Sequence, residues 1–123
     1  MIYCYSMYIS SMNSKELLKG TLNVIILKLL SERERMYGYE MYQEVKELSD
    51  GKILLKDGSL YPALQKLTND GLLSFKEENV GGRIRKYYYI TKKGLKEKTV
   101  YVEEFKDFLN TVNKVVFPEL KTI

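Results

Sequence analysis

The sequence predicts a mainly α-helical chain with one small β-hairpin. Three observations predict this class. Apolar residues recur at helical spacing in four stretches, and the last stretch follows a heptad repeat. A run rich in β-branched and aromatic residues lies between Gly82 and Gly94. With 123 residues, 45% of them apolar and 29% charged, a single globular domain with a modest core is expected.

The composition excludes several kinds of chemical site. There is no His and the single Cys is Cys4, so one chain cannot build a zinc site, a Ser/His or Cys/His catalytic pair, or a disulfide framework. We therefore expect no enzyme activity, no metal and no cofactor. The acidic pair Glu77-Glu78 is interpreted as a solvated turn. Cysteine usage favours a cytoplasmic location, and no apolar run is long enough to span a membrane.

The N-terminal segment differs from the rest of the chain. Residues 1–12 carry no charged side chain, and we expect a poorly ordered leader upstream of a natural start at Met12. A short arm that packs its Tyr residues on a partner is the alternative. The remaining chain divides into 13–91, which forms the main domain, 92–117, which forms a long helix, and 118–123, a tail.

Two helices and a short strand are predicted first. Asn13 and Glu16 form a capping-box pattern before a helix over 15–31, whose apolar residues recur with helical periodicity. A second helix is predicted over 38–48, with Gly51 as its stop. The brief apolar run Ile53–Leu55 is predicted to be a strand.

The third helix, between Asp57 and Gly71, is the centre of the prediction. Proline is tolerated only in a first helical turn, so Pro62 favours a cap at Gly58 or Ser59. One apolar stripe consists of Leu60, Leu64 and Leu67. The opposite face carries hydrogen-bonding groups and one cation: Pro62, Gln65, Lys66 and Asn69, with Tyr61 and Thr68 on the flank.

A basic hairpin follows, with strands over 72–78 and 83–91 and a Gly-rich turn at 79–82. Arg83, Arg85 and Lys86 cluster at and just past its tip. Between Lys52 and Lys98 there are 11 Lys/Arg against 5 Asp/Glu, whereas the rest of the chain has 9 against 11. This concentration of positive charge favours a polyanion-binding surface over a merely solvated basic face.

The last helix is predicted from Lys92 to Phe117, with Thr91 as its cap and Pro118 ending it. Heptad positions a and d hold an apolar seam broken only by Lys98: Leu95, Val102, Phe105, Leu109, Val112 and Val116. Such a seam suits a second long helix, which another copy of the chain would supply. We favour a dimer seam, but packing on the first helix is the alternative, and both can hold.

Three short helices followed by a two-stranded wing predict a winged helix-turn-helix. In that arrangement the third helix enters the major groove of DNA, and the tip of the wing reaches the phosphate backbone or the minor groove. Side chains on both elements are the predicted DNA contacts: Ser59, Tyr61, Gln65, Lys66, Asn69, Arg83, Arg85 and Lys86. Asn and Gln suit adenine, and Lys suits guanine.

Four segments resemble the PadR family of bacterial transcriptional regulators: KELLKGTLNVIILKLLSE, YGYEM, GSLYPALQKLTNDGLL and GGRIRKYYYITKKG. The resemblance covers about Met12 to Phe117 and points to the small subgroup with one C-terminal helix. It implies a repressor that binds double-stranded DNA as a homodimer joined by that helix, and it places Tyr61, Lys66 and the 83–86 region near DNA.

The chain departs from the family pattern at Thr68-Asn69, which replaces an acidic pair, and in having no Trp. Drug sensing by stacking on Trp is therefore not expected. Tyr37, Tyr101, Phe105 and Phe108 are candidates to line a smaller pocket for a hydrophobic effector, although core packing is the favoured role. The predicted function is a ligand-responsive repressor acting on a palindromic operator. A winged-helix protein-interaction module without DNA binding is the alternative.

Overall fold

The computed structural model describes residues 21–119 of the chain. The elements follow in the order α1 (Leu22–Glu32), α2 (Gly38–Leu48), α3 (Asp57–Asn69), β1 (Leu73–Val80), β2 (Arg83–Ile90) and α4 (Lys92–Val116). This confirms a mainly α-helical chain with one antiparallel hairpin. The predicted beginning of the first helix, with Asn13 and Glu16, and the leader over 1–12 lie outside the described residues.

One core joins the three short helices to the base of the hairpin. Each of the three helices buries aliphatic or Met side chains in it, and Leu72 and Leu73 at the start of β1 are buried there too. The stripe of α3 is buried as predicted: Leu60, Leu64 and Leu67 are at most 2% exposed. Burial of large aliphatic side chains contributes about 1.5–3 kcal/mol each, so this stripe fixes the orientation of α3.

The two strands pair from Leu73↔Ile90 at the base to Val80↔Arg83 at the tip. Gly81 and Gly82 connect them with positive φ angles of 58° and 85°. Such angles are costly for residues with a Cβ, which explains the glycine pair. The Gly82 N–H donates to the Asn79 side-chain oxygen at 3.0 Å and closes the turn.

The predicted strand at Ile53–Leu55 is wrong. The segment is not in a strand, and its apolar character reflects core filling, since Leu55 is buried and Ile53 packs partly against the core. The residue that joins the sheet is instead Met36, which forms an antiparallel bridge with Tyr88 on the outer side of β2. This pairing spans more than fifty residues of sequence, and a charged connector surrounds Met36.

The predicted cap of α3 at Gly58 or Ser59 is also wrong. The helix begins at Asp57, and the Lys56 carbonyl accepts from the Leu60 N–H at 2.8 Å. Pro62 therefore lies in the second turn, where its missing N–H leaves the Gly58 carbonyl without its usual intrahelical donor. Gly58 is exposed, so water can satisfy that carbonyl. The predicted stop is confirmed, because Gly71 has φ 80° and follows the helix.

The cap of α4 is confirmed, since the Thr91 hydroxyl oxygen accepts from the Gly94 N–H at 3.0 Å. The helix runs to Val116, one residue short of the predicted end. Tyr101 packs against the core, so α4 does lie on the body of the same chain.

Of the helices within residues 21–119, none combines the length and the apolar character needed to cross a bilayer.

Candidate nucleic-acid interface

The solvent-facing side of α3 carries the polar groups predicted for it. Pro62, Gln65, Lys66 and Asn69 are all exposed, on the side opposite the buried leucines. Ser59 is half-buried in the first turn. The predicted orientation of the helix is confirmed, and the contact of these side chains with DNA stays a prediction.

The polar side chains on this face are paired along the helix. The Gln65 amide nitrogen donates to the Asn69 side-chain oxygen at 2.9 Å. Lys66 forms an ion pair with Asp70 at 3.2 Å. The first pair leaves the Gln65 oxygen as an acceptor and the Asn69 amide as a donor, held one helical turn apart. A donor and an acceptor in fixed positions suit the edges of bases in the major groove.

Tyr61 lies across the start of α2. It is 45% exposed, and a Cβ atom at Gly38 would lie 2.5 Å from its hydroxyl oxygen. Burial raises the pKa of Tyr61, and the nearby Asp57 carboxylate raises it further, so the hydroxyl keeps its proton. Gly38 is thus the residue that permits the close approach of Tyr61 to α2. Sequence reasoning missed this role, because Gly38 only marked the start of a helix there.

The three cations predicted at the wing differ in their surroundings. Arg83 is exposed beside the glycine turn, and within residues 21–119 no ion pair or side-chain hydrogen bond involves it. Arg85 and Lys86 are half-buried and lie over aromatic rings. The Arg85 guanidinium is 4.0 Å from the centre of the Tyr37 ring, and the Lys86 ammonium is 4.0 Å from that of Phe75. Arg83 is therefore the exposed cation of the three, while the contact of all three with DNA stays a prediction.

The junction between α3 and α4 was only partly predicted. The Thr91 hydroxyl donates to the Gly71 carbonyl at 2.7 Å, while its backbone N–H donates to the Leu72 carbonyl at 3.0 Å. Lys93 donates to the Asp70 carbonyl at 2.9 Å. Gly94 is buried against the Leu72 backbone. These contacts fasten the end of α3 to the beginning of α4, and the sequence signal for them was the Thr91 cap.

The predicted seam of α4 is largely uncovered in a single chain. Leu95, Leu109, Val112 and Val116 are exposed, whereas Val102 and Phe105 are half-buried. Phe108, which lies on α4 outside these a and d positions, is 62% exposed. Core packing is therefore not the role of Phe108.

A cleft of ≈ 410 Å³ lies between α1, the end of α3 and the middle of α4. Tyr101, Phe105 and Phe108 line it together with Lys66 and Asp70. Tyr37, which was grouped with these aromatic residues, lies instead against Arg85. Within the described range, no cluster of three or more His, Cys, Asp or Glu side chains suits a metal ion.

Known proteins resemble this chain in both sequence and architecture. Residues 26–99 match the family described as "Transcriptional regulator PadR-like family". A PadR family transcriptional regulator from Eggerthella lenta is 33% identical, with a TM-score of 0.72 over 94% of this chain and 97% of that one. A transcriptional regulator from Clostridium thermocellum is 30% identical, with a TM-score of 0.76 over 82% of this chain and 98% of that one.

A curated relative is also similar over part of its length. The Escherichia coli transcriptional regulator YqjI is 32% identical over 75 residues, which make up 61% of this chain and 34% of that protein. The match therefore spans about a third of that regulator.

Proposed function

We propose that this chain, which belongs to the PadR-like family of transcriptional regulators, is a repressor that binds palindromic DNA as a homodimer. Members of the family are regulators of transcription rather than enzymes, and so is this chain. The observation that carries the proposal is joint exposure: Gln65, Lys66 and Asn69 are exposed on α3, and Arg83 is exposed at the tip of the wing. A DNA-bound repressor works in the cytoplasm, where the chromosome lies.

The chemistry of the two elements is complementary. Gln65 and Asn69 present an acceptor and a donor at fixed positions, which read base edges. Arg83 supplies a positive charge that neutralises a phosphate and releases counterions. Lys66 is the cation of α3, and Asp70 holds it. Base reading would therefore come from α3 and sequence-independent affinity from the wing.

The α4 seam supports a twofold dimer. Four of its six apolar residues are exposed, and an exposed apolar patch along a 25-residue helix is typical of a protein interface. Two copies of α4 packed together would place two α3 helices on one side of a duplex. Their half-sites would then lie about one helical turn apart, ~34 Å.

The cleft supports a response to a small hydrophobic effector. Its lining combines three aromatic side chains with the polar Asn23, Asp70 and Glu104 and with Lys66, which also belongs to the face of α3 predicted to bind DNA. A ligand that contacts Lys66 there would compete with DNA for the same ammonium group. The volume of the cleft falls within the range of small-molecule sites.

The alternative is a winged-helix protein-interaction module without DNA binding. Such a module has the same helices and hairpin. It gives no reason for a local charge of +6 over residues 52–98, with an exposed Arg83 at a turn free of Cβ atoms. A protein partner of ordinary composition does not require that charge.

The proposal is tested by fluorescence anisotropy with a random-sequence duplex at several salt concentrations. We expect binding at low salt that weakens linearly with the logarithm of salt concentration. Arg83→Ala should lower the slope by about one, because it removes one phosphate contact. Lys114→Ala is the matched control, since it removes an exposed cation near the far end of α4.

A wild-type protein that does not bind DNA at low salt would refute the proposal and favour the interaction module. Equal slopes for Arg83→Ala and wild type would remove the wing tip from the mechanism. A wild-type slope for Lys114→Ala would show that the effect of Arg83 comes from its position and not from net charge.

A further inference from the structure

The connector between α1 and α2, residues 33–37, pairs with the outer edge of β2 through one residue, Met36. The Met36 N–H donates to the Tyr88 carbonyl at 3.1 Å, and the Tyr88 N–H donates to the Met36 carbonyl at 2.8 Å. Met36 is completely buried. Successive side chains of an extended segment point to alternate faces, so Arg35 and Tyr37 project to the face opposite Met36. The Tyr87 side chain of β2 lies on that same face.

On that face the connector and β2 are interlocked by two reciprocal stacks. The Arg35 guanidinium lies 3.8 Å from the centre of the Tyr87 ring, and the Arg85 guanidinium lies 4.0 Å from that of Tyr37. The two tyrosine rings meet edge to face, with centres 5.5 Å apart and planes at 83°. Each strand thus supplies one cation and one ring to the other, and we call these four residues the stacked cluster.

Two further contacts extend the stacked cluster. Arg35 forms an ion pair with Glu78 of β1. Arg85 donates to the Tyr87 hydroxyl at 3.3 Å. The cluster therefore ties both wing strands to the connector. It also explains why Tyr87 is only 9% exposed although it lies on the outer face of the hairpin.

The stacked cluster lies between the wing tip and α3. Arg85 is two residues from Arg83 along β2, on the same face of the hairpin. Tyr37 directly precedes Gly38, where the Tyr61 side chain of α3 approaches α2. The chain of contacts therefore runs from the wing through Tyr37 and the start of α2 to Tyr61. A change in the cluster would alter the angle between the wing and α3.

We propose that Arg35 and Tyr37 are positioning residues for DNA binding, which hold the wing at the angle where Arg83 and α3 meet the same duplex. Arg85 belongs to this support and not to the set of phosphate contacts, in contrast to its predicted role. The inference rests on the proposed function. Beyond the proposed function, the inference states that Arg35 and Tyr37, which lie outside α3 and the wing, determine affinity without contacting DNA.

The distinction has a measurable consequence. A lost phosphate contact lowers affinity and also the salt slope, because fewer counterions are released. A loosened wing lowers affinity but keeps the number of phosphate contacts in the final complex, so the slope is unchanged. The slope therefore separates a positioning residue from a contacting one.

The test compares Tyr37→Leu with Tyr37→Phe on a random-sequence duplex over a salt series. Tyr37→Leu removes the ring under Arg85, and we expect binding about tenfold weaker with the wild-type slope, a size in line with the loss of one cation–π stack and of the edge-to-face contact with Tyr87. Tyr37→Phe keeps the ring and should bind as wild type does. Arg83→Ala provides the reference for a lowered slope.

Arg35→Lys gives an independent second variant. It keeps the positive charge beside Glu78 and loses the flat guanidinium over Tyr87, so its affinity should also fall at constant slope. Wild-type affinity in both Tyr37→Leu and Arg35→Lys would overturn the inference. A slope lowered by about one in Tyr37→Leu would also overturn it, because Arg85 would then act as a phosphate contact.

Amide hydrogen exchange on the free protein separates this inference from the proposed function. In Tyr37→Leu we expect faster exchange at β2 amides near Arg85 and unchanged exchange in the middle of α1. Failure of the wild-type protein to bind DNA would refute the proposed function and leave the exchange result standing. Equal exchange in Tyr37→Leu and wild type would refute the support of the wing by the stacked cluster, whatever the DNA result.

Discussion

Gly94 lies where α4 crosses the backbone that leads into β1. A Cβ atom at this position would overlap the Leu72 carbonyl oxygen and lie 2.7 Å from Ile90 Cγ1. The Leu72 carbonyl cannot move freely, because it accepts from the N–H of Thr91 at 3.0 Å and lies 3.1 Å from the Thr91 hydroxyl oxygen. We therefore predict that Gly94→Ala destabilises the fold even though alanine is the better helix former.

The magnitude follows from opposing contributions. Replacing Gly by Ala in a helix stabilises it by about 1 kcal/mol at most. Overpacking against a fixed backbone costs about 1–3 kcal/mol, and each hydrogen bond that Thr91 loses costs about 1 kcal/mol more. The net change is a loss of about 2 kcal/mol in the free energy of unfolding. For a domain of about 100 residues this lowers Tm by about 10 °C.

Gly58→Ala is the matched control, because Gly58 is exposed within α3 and nothing lies within 4 Å of a Cβ built on it. This variant should be more stable than wild type by about 0.5–1 kcal/mol. Thermal and urea unfolding monitored by circular dichroism measure both variants. A Gly94→Ala protein as stable as wild type would show that α4 does not approach Leu72 as closely as described.

Two further predictions concern the proposed interface and assembly. Val112→Glu places a charge on the α4 seam and should convert the proposed dimer to a monomer in sedimentation velocity. Lys114→Glu, on the opposite side of the heptad, should leave the protein dimeric. A dimeric Val112→Glu protein would exclude the seam as the interface. Asp70→Asn releases Lys66 and should tighten binding to random-sequence DNA by about threefold to tenfold at low salt. Asp107→Asn makes the same charge change on α4 and should have a smaller effect. Equal effects would mean that net charge alone is responsible.

The parts of the fold with strong local signals could be predicted from the sequence. The stripe of Leu60, Leu64 and Leu67 repeats at helical spacing, and this spacing oriented the whole of α3. Gly71 and Thr91 marked helix ends by their own backbone and hydroxyl chemistry. Such signals lie within a few residues of the structure that they determine, so periodicity and capping rules detect them.

The parts that depend on distant pairing could not be predicted in this way. Met36 pairs with Tyr88 and stands in a charged connector without alternation, while Ile53–Leu55 resembles a strand but fills the core. Arg85 and Lys86 appear equivalent to Arg83 along the sequence, and only the folded chain places aromatic rings beneath them. The ring partners of these cations lie elsewhere in the sequence, so counting charges near the turn could not show that Arg85 and Lys86 lie over aromatic rings.

In the proposed dimer, the bonds from Thr91 and Lys93 to the end of α3 make α4 a lever. Its 25 residues extend about 37 Å. A rotation of about 10° around the far end would displace the beginning of α4, and α3 with it, by about 6 Å, nearly two base-pair steps of ~3.4 Å. Such a rotation would change the distance between the two α3 helices while each helix kept its shape. Small changes in how the two α4 helices cross would thus select the operator spacing that the dimer accepts.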